Sequence, residues 1–127
     1  MKELVDSARA ALQYCYAPYS EFRVAAAVLD EQGRTHTGVN VENGSYGLTQ
    51  CAERAAICTA IGAGAREIKT VVVYTPTERP HFPCGACRQF IRELGPDAKI
   101  VSVCDTGKQI ESHIDDLLPG AFDLGSN

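Results

Sequence analysis

The 127-residue sequence has no run of basic residues: its twelve lysines and arginines stand singly, and the formal charge is -4. A protein that tracks a polynucleotide carries a basic patch or stripe, so long nucleic acid is disfavoured as a partner. No apolar run approaches the roughly 20 residues of a membrane span. The opening Met1-Lys2-Glu3-Leu4-Val5-Asp6 mixes both charge signs and lacks the apolar stretch of a signal peptide. A cytoplasmic protein away from membranes is therefore expected. There, the six cysteines should stay reduced, and six in 127 is too sparse for a disulfide scaffold. Repeats, linkers and low-complexity tracts are missing too, so residues 1–127 read as a single domain, long enough to bury its own core.

What is present is an alternation of helix and strand patterns. Leu4, Val5, Ala8, Ala11, Leu12 and Cys15 recur at helical spacing and predict a helix over 2–16, ended by Pro18. Two extended runs, 22–29 and 34–41, flank Asp30-Glu31-Gln32-Gly33 and predict a hairpin. Ala25, Ala26 and Ala27 imply a tight sheet–helix contact. A polar loop, 40–47, follows. A helix is expected over 51–61, with Thr49 as its cap and Ala55, Ile57, Cys58 and Ile61 on its buried side. The apolar run 68–74 predicts a strand buried on both faces. A loop with two prolines leads to a helix over 84–94, strands at 100–104 and 109–112, and a short helix at 114–118. This order gives an α/β layered domain, one sheet with helices on its faces.

The chemistry concentrates in Cys51-Ala52-Glu53-Arg54 and Pro83-Cys84-Gly85-Ala86-Cys87-Arg88. Cys84 and Cys87 sit three apart at a helix start, so both thiols project from the same end, where the helix dipole favours thiolates. Cys51 opens the other helix. Three thiolates leave a fourth position free on a tetrahedral Zn²⁺, the pattern of a catalytic site. A Cys-x-x-Cys pair alone also fits a redox motif, and a closed zinc site would fit a structural module. Cys58, two turns from Cys51, is too far to share the ion and reads as core; Cys15 and Cys104 read as small buried hydrophobes. Glu53, two residues past a ligand, is a candidate proton carrier. Three thiolates on Zn²⁺ sum to one negative charge, and Arg54, ahead of Arg88, is the expected donor to ligand sulfur.

These blocks resemble the cytidine deaminases in their small, three-cysteine form. So do Tyr16-Ala17-Pro18-Tyr19-Ser20-Glu21-Phe22, Gly38-Val39-Asn40-Val41-Glu42-Asn43 and Leu117-Leu118-Pro119-Gly120-Ala121-Phe122, which occur in family order across nearly the whole chain. The resemblance implies a three-layer sandwich with a central mixed sheet of about five strands. It implies hydrolysis of cytidine and 2′-deoxycytidine to uridines and ammonia in pyrimidine salvage, with one Zn²⁺ per subunit and a homotetramer sharing its active sites. Metal-bound hydroxide would attack C4, with Glu53 shuttling protons. Phe22 would pack on the pyrimidine, Asn40 and Glu42 would hold the ribose, and the backbone near Ala52 would read the base edge. Tyr46 and Phe122 would reach a neighbour's site. One departure stands out: Ala25 occupies a position where the family commonly has glycine, so its methyl is expected to bear on the pocket. A same-fold deaminase of another aminopyrimidine, a zinc-stabilised interaction module and a polynucleotide editor are the rival readings.

Overall fold

The computed structural model describes residues 1–124. Its elements are α1 (Lys2–Ala11), β1 (Ala25–Asp30), β2 (Thr35–Val39), α2 (Ala52–Gly62), β3 (Ile68–Thr75), α3 (Gly85–Leu94), β4 (Lys99–Cys104), β5 (Gln109–His113) and α4 (Ile114–Leu117). Single 3₁₀ turns follow α1 at Leu12–Tyr14 and precede α2 at Tyr46–Leu48. The expected elements are all present; the first helix is shorter because its last turn tightens to 3₁₀ geometry.

The strands form one five-stranded sheet in the order β2-β1-β3-β4-β5. Only β3 and β4 run parallel, since α3 carries the chain across between them; the other neighbours are antiparallel. Side chains alternate between the faces. On one face α1 and the 3₁₀ turn after it lay Leu4, Ala8 and Leu12 against Ala25, Ala27, Val72 and Val101. On the other, α2, α3 and α4 pack on Ala26, Val28, Val71, Val73 and Ile100. The result is three layers. Ala25 belongs to the α1 side, so its methyl fills core on the far face and does not line the cleft described below.

Helix α2 rests on β2 through a close approach at Gly38, where an added Cβ would stand 2.3 Å from the Ala56 nitrogen. Ala52 and Ala56 make that contact, and Ile57 and Ala60 are buried on the same helix. This stripe turns Cys58 outward: it is exposed, contrary to the core position expected for it. Cys15 is half-buried and Cys104 buried. Among the described residues no helix is long and apolar enough to cross a membrane.

Asp30 anchors the hairpin end. Its buried carboxylate accepts from the backbone of Gln32 and Arg34 at 2.8 and 2.9 Å, and from Arg34 Nε at 2.9 Å, with His36 Nε2 also at 2.9 Å. Arg34 in turn donates to the Ala63 carbonyl at the end of α2. Burial alone pushes the Asp30 carboxyl up, but the hydrogen bonds from His36, Arg34 and Gln32 outweigh it and hold it well below its ordinary value. A depressed carboxylate stabilises the fold above the ordinary aspartate range and loses that contribution as pH falls below about 4. Asp30→Asn is thus expected to destabilise the protein near neutrality and to flatten its stability profile in acid. Denaturant midpoints measured from pH 7 downward check this; parallel profiles for the two proteins would refute it.

Candidate active site

Each helix that faces the sheet beside the cleft begins at a cysteine. Cys51 is the N-cap of α2 and Cys84 the N-cap of α3, both with extended backbone and neither side chain spent on a capping bond. The cap expected at Thr49 is absent. Its hydroxyl instead accepts from the Asn43 backbone at 3.1 Å, tying down the preceding loop. Cys87 lies in the first turn of α3 and is buried. The sulfurs of Cys51, Cys84 and Cys87 all lie within 4.8 Å of one another. Thiolates bound 2.3 Å from one tetrahedral Zn²⁺ stand about 3.8 Å apart, so the donor set fits that ion.

The electrostatics fit as well. The Cys51 sulfur is pulled down from its ordinary thiol value, chiefly by a hydrogen bond with Cys87 and also by Arg54, whose Nη2 donates to it at 3.3 Å. The same neighbour pushes the Cys87 thiol up, and a bound metal would displace the thiol protons. Arg54 Nε is buried with no partner among the described residues, a spare donor beside the sulfurs. Arg88 acts elsewhere. Its Nε donates to the Pro83 carbonyl at 2.7 Å and its Nη1 to the Leu117 carbonyl at 2.9 Å, clamping the cysteine turn to α4.

A cleft of about 290 Å³ opens beside the thiols. Phe22, Asn40, Glu42, Ala52 and Glu53, all singled out from the sequence, line it together with Cys51 and Cys84. Glu53 is only 5% exposed. Burial, reinforced by the Cys51 charge, pushes its carboxyl up to about 7. The Asn40 amide bridges the strand entering β1: Nδ2 donates to the Phe22 carbonyl at 2.8 Å and Oδ1 accepts from the Val24 backbone at 3.0 Å. Two of its four hydrogen-bonding positions remain. Glu42 accepts from the backbone of Tyr19 and Ser20 at 2.9 and 3.0 Å and from the Ser20 hydroxyl. Those bonds, the Ser20 hydroxyl first, hold its carboxyl below the usual value and leave about one acceptor position free.

Tyr46 and Phe122 do not line this cleft. Both are exposed; Tyr46 meets Tyr19 edge to face at 6.1 Å, and the Phe122 carbonyl accepts from Gln89. Val73, Thr75, His81 and Phe82 line the cleft without having been singled out. The sequence signal for the last two was an imidazole and an aromatic ring directly before Pro83-Cys84, in what read as a plain proline loop.

An open thiolate triad at the side of a small-molecule cleft is the arrangement of the metal-dependent hydrolases. Comparison with known proteins narrows the class. The family model for the cytidine and deoxycytidylate deaminase zinc-binding region matches residues 1–104. A cytidine deaminase from Halalkalibacterium halodurans is 45% identical over 120 residues, covering 94% of this chain and 91% of the relative. A probable cytidine deaminase from Dictyostelium discoideum is 45% identical over 123 residues, 96% of this chain and 83% of that protein. The crystal structure of a cytidine deaminase from Burkholderia pseudomallei superposes with a TM-score of 0.91 at 44% identity, covering 95% of this chain and 98% of that one. The chain belongs to the cytidine deaminase family, whose zinc-binding region it matches, and its three clustered cysteines could hold that ion.

Proposed function

We propose that this chain is one zinc-dependent domain that hydrolyses cytidine and 2′-deoxycytidine to the corresponding uridines and ammonia, in pyrimidine salvage. The observation that carries the reading is the convergence of Cys51, Cys84 and Cys87 beside a cleft walled by the buried Glu53. Zinc, when bound, supplies the Lewis acidity that makes water nucleophilic at neutral pH. The chain's residues do the rest. The Glu53 carboxylate, its pKa raised to about 7 chiefly by burial, takes a proton from the attacking water and hands it to ring nitrogen N3, then carries the proton of the new C4 hydroxyl to the amine, which leaves as ammonia. The Ala52 backbone reads the base edge and Phe22 packs on the ring. Asn40 and Glu42 meet the sugar hydroxyls with the positions their internal bonds leave free.

Among the described residues the cleft lining contains no lysine or arginine. A 5′-phosphate would enter beside the Glu42 carboxylate without a guanidinium or ammonium partner, which favours the free nucleoside over the nucleotide. The test is an ultraviolet assay of zinc-quantified protein with cytidine, deoxycytidine, deoxycytidylate and cytosine. Turnover of the two nucleosides alone is expected; none with either nucleoside would overturn the reading.

The exposed rings of Tyr46 and Phe122 support a homotetramer in which they reach a neighbouring cleft. Sedimentation at assay concentration tests this; a monomer that is fully active would refute it. Among the described residues all six cysteines are unpaired, in keeping with a reducing cytosol. Arg54 draws charge from the Cys51 sulfur. Arg54→Gln is expected to lower kcat about tenfold or more while zinc content stays near one per subunit. Unchanged turnover would remove this role.

A further inference from the structure

We infer that His81 is a specificity-determining residue, governing which substituents at C5 of the pyrimidine the cleft admits. The inference rests on the deaminase reading above. Residues 76–83 connect β3 to α3 and are pinned at several points. Thr75 and Thr77 hydroxyls lie 2.8 Å apart, and Thr77 donates to the Arg79 carbonyl at 2.7 Å. Asp105 N donates to the Thr77 carbonyl at 3.0 Å, and the Thr106 hydroxyl to that of Glu78 at 3.0 Å. Arg88 holds the Pro83 carbonyl at the other end. A segment tied this way presents His81 as part of a preformed wall.

His81 lines the cleft, exposed at its mouth, and meets Phe22 edge to face with ring centroids 6.4 Å apart and planes at 79°. The chemistry of the ring sets which edge it faces. C4, the reacting carbon, is flanked by N3 on one side and C5 on the other. Helix α2 supplies Ala52 and Glu53, the groups able to hydrogen-bond the N3 edge. The second metal-holding wall is the segment leading into Cys84, and C5 therefore faces His81 and Phe82. C5 and C6 carry no hydrogen-bonding group, so selection there is by shape, and an imidazole carried on a tied segment and set edge to face against Phe22 leaves little room for an added methyl.

The experiment compares kcat/KM for cytidine, 5-fluorocytidine and 5-methylcytidine in zinc-loaded wild type, His81→Ala and His81→Gln. Wild type is expected to accept the small fluorine and to disfavour the methyl at least tenfold. His81→Ala should raise the 5-methylcytidine-to-cytidine ratio at least fivefold, while His81→Gln, which keeps bulk at the position, should hold it near the wild-type value. A ratio that moves less than fivefold in His81→Ala overturns the inference, as does an equal loss on all three substrates or a wild type indifferent to the methyl. A wild type with full zinc and no turnover of cytidine would instead overturn the deaminase reading itself.

Discussion

Glu53→Gln is expected to keep one zinc per subunit and to lower kcat by about three to four orders of magnitude, toward the upper end of what a positioned proton carrier contributes. Glutamine matches glutamate in size and fits the same buried place in the first turn of α2. None of the three thiols is touched. What it removes is an exchangeable carboxyl proton. The carboxyl is raised to about 7, mainly by burial, so a proton can be taken and returned near neutral pH at small cost. An amide can still hydrogen-bond the base, so substrate binding should survive while turnover collapses. Zinc by elemental analysis and kcat by absorbance separate these effects. Activity within about tenfold of wild type would show that protons travel by another route.

The second large effect is expected at Cys87. Its thiol is fully buried and tied to the Cys51 sulfur. Cys87→Ser places a harder, more basic donor where the ion needs a thiolate, and among the described residues no fourth cysteine belongs to the cluster. Zinc should fall well below one per subunit and activity by at least about a thousandfold. Cys58→Ser supplies the contrast: on the outer side of α2, it should leave both unchanged. If Cys87→Ser retained full zinc, the donor set would have to be redrawn.

Much of this was legible in the chain because it is local. Two helix starts carrying thiols, a carboxylate two residues on and a continuous apolar β3 are all patterns within a few positions. The errors have local causes too. A β-branched hydroxyl at Thr49 matched the usual N-cap, yet the N-cap is Cys51, and the Thr49 hydroxyl is spent on the Asn43 backbone instead. Cys58 looked apolar enough for the core, but alanines pack closer on Gly38, and the helix rotates to bury them. His81 was invisible for a different reason. Its meeting with Phe22 depends on β1 pairing antiparallel with β3, Ala25 opposite Tyr74. That register brings the segment entering β1 beside the one leaving β3. Separations of nearly sixty residues leave no periodic trace in the sequence.

The placement of the thiols also bears on how the protein folds. Cys51 and Cys84 cap different helices, with all of β3 between them. An ion held by both closes a ring of chain, as a cross-link would, and lowers the conformational entropy of any state that retains it. It ties the N-terminus of α2 to that of α3 and would act before the C-terminal strands β4 and β5 need be in place. Removing the metal should therefore be felt as looser cohesion between the two helices. A chelator titration followed by hydrogen exchange should show protection lost first in the opening turns of α2 and α3, with the α1 face of the sheet responding last.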